Sequence, residues 1–142
     1  MSHPLQEVFL ATTYRVCLDG QWTATRIGVP SEALADWLRG QDHARASLLS
    51  ACNPRGALQP AEINAARDEA LRRQLAGKGW SFSPAEGVSA DGRWRESSLF
   101  VPGLHGPECR SLMQAFDQLA WVEYDAAGQA QLRWTRDLDP GT

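Results

Sequence analysis

The chain has 142 residues, of which 43% are hydrophobic and 22% charged, and its formal net charge is −3. This length and composition are typical of one globular domain, expected over residues 1–142, and exclude collagen-like, coiled-coil and largely disordered chains. The acidic balance argues against a nucleic-acid or membrane-surface binder. No apolar run approaches the ~20 residues that a membrane span needs.

Cysteine and histidine usage bears on compartment and on metal binding. Cys17, Cys52 and Cys109 are widely spaced and form no CxxC pair, which favours a reducing compartment. His105 lies four residues before Cys109, but two ligands do not make a zinc site. No basic n-region followed by an apolar core precedes Arg15. We therefore expect a soluble, cytoplasmic protein with no metal and no cofactor.

The first predicted elements are a short helix over residues 4–10 and a β-hairpin. The strand-like runs Tyr14–Leu18 and Gln21–Ile27 flank Asp19-Gly20. Asp-Gly is a strong hairpin signal because both residues tolerate a positive φ.

Three main helices are predicted from their end signals. Ser31 is a good N-cap for the first helix, and Gly40 is a good C′ residue, just past its end. Pro60 suits the first position of a helix running through Leu75, and Gly106-Pro107-Glu108 begins the third. The other strands are predicted from short apolar runs: Ala44–Ala51, Trp80–Phe82, Ser98–Val101, Trp121–Tyr124 and Gln131–Trp134.

The connections complete the predicted fold. We expect a polar loop over Glu86–Arg95, a turn over Asp125–Gly128 and a flexible tail over residues 137–142. Because paired strands alternate with helices, the sequence predicts an α/β (or α+β) domain. Its mixed β-sheet would carry a hairpin at each end and be flanked by about three helices. An edge strand of either hairpin is the expected surface for a homodimer.

Polar residues cluster after the predicted strand that ends near Ala51. Asn53 and Arg55 would lie at its carboxyl end, where open α/β sheets tend to bind ligands. Asn64 shares a helix stripe with Leu71 and Leu75, so it should be buried and must find hydrogen-bond partners. Those partners are either the Asn53 loop, as internal bracing, or a ligand.

Further candidates each have two readings. Arg67 borders the same stripe, and its guanidinium suits a carboxylate or phosphate, although a salt bridge is the ordinary role. Glu96 enters a strand as a general base, a ligand acceptor or an ion-pair partner of an arginine. Ser98 follows it in the same strand, and Gln118 is a ligand contact or a helix cap. Cys52 is a nucleophile or a buried thiol.

In order and spacing these residues resemble a bacterial family, domain of unknown function 3293. The matching runs are Arg26-Ile27-Gly28 with Ser31 and Leu34, Ala51–Pro54 with Asn64 and Arg67, Trp94–Ser98, Gly103, and Phe116–Ala120. The family carries no established activity. The resemblance therefore marks residues of interest without assigning them a role: Asn53, Asn64, Arg67, Glu96, Ser98 and Gln118. The family often has Ser at Gly56 and a Gly-Gln-Asn run at residues 117–119, so a pocket using that serine or asparagine would be altered here.

Two functional hypotheses follow. The first is a site for a small anionic or nucleotide-like molecule at the carboxyl ends of strands. The second is a non-enzymatic regulatory or protein-interaction module, in which the same residues form a structural hydrogen-bond network. Neither a membrane nor a nucleic acid is an expected partner, and the sequence does not decide whether the chain is an enzyme.

Overall fold

In the computed structural model, which describes residues 3–136, helices and strands alternate along most of the chain. The helices are α1 (Gln6–Ala11), α2 (Glu32–Gly40), α3 (Ala61–Gly77) and α4 (Pro107–Ala115), with a 3-10 turn at Pro54–Gly56. The strands are β1 (Thr13–Leu18), β2 (Gln21–Thr25), β3 (Ala46–Leu49), β4 (Ser83–Val88), β5 (Arg95–Pro102), β6 (Ala120–Tyr124) and β7 (Ala130–Trp134). The predicted tail at 137–142 lies outside the described residues.

The seven strands form one sheet in the order β2-β1-β4-β5-β3-β6-β7. The predicted fold class, an α/β domain with a hairpin at each end of the sheet, is confirmed. All six ladders are antiparallel, so the sheet is more regular than the mixed sheet expected. Within the described residues, parallel pairing is confined to an isolated bridge between Ile27 and Ala130. The hairpin strands β2 and β7 are the sheet edges, and the homodimer through an edge strand stays a prediction.

Alternating side chains on the central strands build one core on each face of the sheet. Leu48 and Phe100 face the α2 side, where they pack with Leu34 and Leu38. Their chain neighbours face the other side and pack with α3 and α4: Leu49, Leu99 and Val101 against Leu71, Leu75 and Met113. This period-two pattern is what a sheet covered on both faces requires.

The turn and helix-cap predictions for the N-terminal part of the chain are mostly confirmed. Asp19 (φ 50°) and Gly20 (φ 85°) both adopt positive φ, so the predicted hairpin turn is confirmed. The Ser31 Oγ accepts a hydrogen bond from the Leu34 N–H at 3.2 Å, which confirms the N-cap. The prediction that Gly40 is the C′ residue was wrong by two positions, because Gly40 is the last residue of α2 and Asp42 takes the left-handed conformation (φ 60°) that is typical of C′.

The predicted loop over Glu86–Arg95 was also wrong in extent. Glu86 belongs to β4, which begins at Ser83 rather than at Trp80, and the connection to β5 spans only residues 89–94. The Glu86 Oε1 accepts from Arg15 at 2.6 Å and from Arg95 at 2.8 Å, one residue on each neighbouring strand. These cross-strand ion pairs stabilise Glu86 within the sheet. A segment whose polarity predicted a loop therefore forms part of β4.

The other boundaries shift by a few residues. Pro60 caps α3 rather than occupying its first position, and α4 begins at Pro107, with Gly106 as its N-cap. No helix within residues 3–136 combines the length and apolarity that crossing a membrane would take.

Candidate functional site

Two asparagines, Asn53 and Asn64, bond to each other and hold the loop after β3. We call these two residues together with Gln59 the Asn53 cluster. Asn53 adopts a left-handed conformation (φ 47°), which asparagine tolerates better than most residues. Its Oδ1 accepts from Asn64 Nδ2 at 2.9 Å and from the Gln59 N–H at 3.0 Å. In return, the Asn64 Oδ1 accepts from the Asn53 N–H at 2.9 Å. The cluster fixes the loop against the start of α3.

Arg67 and Gln118 extend this bracing to main-chain carbonyls. The Arg67 Nε donates to the Ala51 carbonyl at 2.6 Å, and its Nη2 donates to the Phe116 carbonyl. The Gln118 Nε2 donates to the Cys52 carbonyl at 3.0 Å. Helix α3, the end of β3 and the segment after α4 are therefore tied together. For Asn64 and Arg67 this geometry favours internal bracing over ligand binding.

A pocket between α1 and the α2-side face of the sheet lies beside the Asn53 cluster, and we call it the sheet pocket. Its volume is about 70 Å³, and its walls are mainly apolar and aromatic, including Phe9, Tyr14 and Trp94. Glu96, Ser98 and Gln118 also line it. The sequence therefore pointed to three residues, from two separate stretches of the chain, that meet at one pocket.

Glu96 links the sheet pocket to the Asn53 cluster. Its Oε2 accepts a hydrogen bond from Asn53 Nδ2 at 3.0 Å. Burial raises the pKa of the Glu96 carboxyl above its usual value, and hydrogen bonds from Ser50 and Asn53 partly oppose that rise. The carboxyl can accept a hydrogen bond when ionised and donate one when protonated. The Ser98 hydroxyl is 4% exposed and reaches the Glu96 carbonyl only at 3.5 Å.

A second depression, the outer cleft, adjoins the sheet pocket, and Gln118 and Leu119 line both. Its volume is about 550 Å³, and it carries the basic side chains of Arg55 and Arg136. Arg55 also pairs with Asp117 at 3.3 Å. Arg55 thus lines the outer cleft, whereas Asn64 and Arg67 line neither depression.

Cys52 has the properties of a buried thiol. It is 4% exposed, and burial raises its pKa to about 11, which disfavours the thiolate that a nucleophile needs. For metals, the stretch from His3 to Arg136 holds no group of three or more His, Cys, Asp or Glu side chains placed to bind an ion.

Several residues of the site were missed from the sequence. Gln59 closes the Asn53 cluster through its backbone N–H, which no side-chain pattern signals. Phe9 and Tyr14 reach the pocket from the N-terminal elements, far along the chain from Glu96. Trp94 was noted only as the first residue of the Trp94–Ser98 run, without a role in a pocket. Its polar neighbours Arg95 and Glu96 were the one available signal of a site.

The fold and site define a class: an antiparallel α/β protein with a braced loop beside a small pocket that contains a carboxyl group. A model of the family described as "Protein of unknown function (DUF3293)" matches residues 49–121, just over half of the chain, and the chain belongs to that family. All seven candidate residues lie in the matched stretch, whereas α1 and β1, which also line the pocket, precede it. No curated protein and no solved structure matches the chain.

Proposed function

We propose that this protein binds a small molecule in the sheet pocket, with Glu96 as the polar group that recognises it. The observation that supports this most is the charge of Glu96. It is the only charged side chain among the residues that line the pocket, and within residues 3–136 it forms no salt bridge. Burying a carboxyl group without a cation costs free energy, and such groups concentrate at functional sites.

The size and lining of the pocket favour a particular kind of ligand group. A volume of about 70 Å³ suits a small head with N–H donors, such as an amine, amide or amidine, rather than a whole nucleotide. The apolar walls would cover its hydrocarbon part while Glu96 accepts its hydrogen bonds. The anionic ligand expected from the sequence finds no basic side chain among those lining the pocket. We place any anionic group of a larger ligand in the outer cleft, near Arg55 and Arg136.

The alternative, an interaction module without a ligand, is favoured by the Asn53 cluster. Asn53, Asn64 and Arg67 bond to one another or to main-chain carbonyls, as a structural network would. That network donates a hydrogen bond to the carboxyl group in the pocket but provides no salt bridge to neutralise its charge. We therefore assign Asn53 a positioning role, because its amide donates to Glu96.

A thermal-shift screen tests the proposal. The probes are small alkylamines, carboxamides and amidines in one arm, and phosphorylated metabolites and nucleotides in the other. A ligand at 100 times its dissociation constant stabilises the folded state by about 2.7 kcal/mol, which raises Tm by several degrees. Glu96→Gln is the test variant, and Glu69→Gln, at an exposed position of α3, is its control.

The expected result is a hit in the first arm that persists in Glu69→Gln and is lost in Glu96→Gln. A shift of equal size in all three proteins would place the ligand elsewhere. Silence across both arms would instead favour the interaction module.

A further inference from the structure

A different cleft lies at the other end of the sheet, where β3 begins. Its volume is about 460 Å³, and its walls carry the rings of Trp37, His43, Trp80 and Phe82 together with the carboxylate of Asp19. Trp37 packs against the core on the α2 side, whereas Trp80 and Phe82 pack against the core on the α3 and α4 side. Rings from both cores therefore meet here, in what we call the aromatic cleft.

The charges at the aromatic cleft are negative. Asp19 lines it, and no lysine or arginine is among its lining residues in the described part of the chain. The Trp37 Nε1 donates to the Asp19 Oδ2 at 2.8 Å, and the Trp80 Nε1 donates to the Glu108 Oε2 at 2.8 Å. Each carboxylate fixes the orientation of an indole and occupies its N–H, so a guest in the cleft would contact the rings of these tryptophans rather than their N–H groups.

Two local features shape this cleft. Ser83 lines it, and the buried Ser83 Oγ has no hydrogen-bond partner among residues 3–136, although buried hydroxyls are usually bonded. Gly103 has φ 87°, and a Cβ there would lie 3.1 Å from the His43 ring and 3.4 Å from Trp80. The missing side chain allows both rings to lie against the main chain.

We propose that the aromatic cleft binds a small organic ammonium ion, held by the rings of Trp37 and Trp80 and by the charge of Asp19. Aromatic faces attract cations through the ring quadrupole, and sites for quaternary ammonium groups are built in this way. Phe82 already makes one such contact, since the Arg72 Cζ lies 5.8 Å from its ring centroid. An anion would be repelled by Asp19 and Glu108.

The test is an NMR titration of the isotope-labelled full chain with choline, followed through the indole N–H signals of the six tryptophans. Trp37→Phe and Trp80→Phe assign two of these signals. We expect saturable shifts of Trp37 and Trp80, with Trp22 and Trp134, which do not line the cleft, unaffected. Dimethylbutanol, in which a carbon atom replaces the charged nitrogen, should bind about tenfold more weakly.

A conservative variant isolates the role of charge. Asp19→Asn keeps an oxygen for Trp37 and tolerates the positive φ, so the fold should survive while choline affinity falls by about tenfold. Asp36→Asn, at an exposed site of α2 whose side chain is 71% exposed, should bind like the parent. The proposal is overturned by unsaturable shifts, by equal affinity for choline and dimethylbutanol, or by unchanged binding in Asp19→Asn.

The same titration distinguishes two sources of the cation. A peptide carrying trimethyllysine that binds more tightly than choline would assign the cleft to a protein side chain. Choline binding at least as tightly would assign it to a free small molecule. Failure of both probes would overturn this inference and leave the sheet pocket proposal unaffected, because the two sites share no lining residue.

Discussion

Asn64 joins two backbone segments through one amide group. It accepts from the Asn53 N–H and donates to the Asn53 side chain. Asn64→Ala should therefore leave the Asn53 N–H without its partner, remove one of the two donors to the Asn53 Oδ1, and lower the free energy of unfolding by about 1–3 kcal/mol. Urea denaturation measures the loss. Gln74→Ala, at an exposed position of the same helix, should change stability by less than about 0.5 kcal/mol, and equal losses would contradict the bracing role.

Glu96 makes stability depend on pH in a definite direction. Because its pKa is raised in the folded chain, that state binds more protons than the unfolded state just above the usual glutamate value of 4.5. The free energy of unfolding should therefore fall as pH rises through this window and level off above the raised pKa. Glu96→Gln has no proton to release, so its stability relative to the parent should rise with pH over the same window.

Urea unfolding of both proteins between about pH 4 and about pH 8 measures that difference. The corresponding difference for Glu69→Gln provides the baseline. A difference that falls with pH, or one that follows the baseline, would contradict a raised pKa for Glu96.

Among the elements, the β6–β7 turn is packed tightly against the start of α2. Gly128 has φ 72°, and a Cβ there would lie 2.2 Å from the Ser31 carbonyl oxygen and 3.0 Å from the Ala35 nitrogen. Gly128→Ala should therefore cost more than about 3 kcal/mol, from strain and from separation of the turn from α2. Gly92→Ala is the matched control, since Gly92 has φ 73° and open space around it. It should cost about 1–2 kcal/mol, and similar losses in thermal unfolding would refute the packing argument.

Arg67 anchors α3 through two separate hydrogen-bond donors, Nε and Nη2. Arg67→Ala removes hydrogen bonds to the carbonyls of Ala51 and Phe116 and should lower stability by about 2 kcal/mol or more. Arg67→Lys should recover little, because a lysine lacks the planar fork that reaches both carbonyls. The exposed Arg73→Ala is the control in the same denaturation series. Full rescue by lysine would mean that charge alone matters.

The elements could be predicted where local chemistry decides the conformation. The Asp19-Gly20 turn and the Ser31 cap depend on neighbouring residues, and both were found. The extent of strand β4 could not be predicted from the sequence, because Glu86 is stabilised by arginines on two other strands. The C′ residue of α2 was also missed, since a positive φ suits both Gly40 and Asp42 and it is Asp42 that adopts one.

At the scale of the whole molecule, the sequence identified the polar residues of the site but not which of them brace the loop and which line the pocket. The stripe that places Asn64 beside Leu71 showed that Asn64 needs partners, and the fold supplies Asn53. The sheet pocket could not be predicted from the sequence, because its wall combines α1 and β1 with strands that come much later in the chain. The order of the strands in the sheet brings these elements together, and no local sequence pattern encodes that order.

The most direct test compares Glu96→Gln with Asn64→Ala, using the compound that gives the largest thermal shift with the parent protein. The account predicts that Asn64→Ala melts earlier but keeps most of the ligand-induced shift, because Asn64 braces the loop without lining the pocket. Glu96→Gln should fold and lose the shift. The opposite pattern, with the shift kept in Glu96→Gln and lost in Asn64→Ala, would contradict the assignment of Glu96 as the binding group.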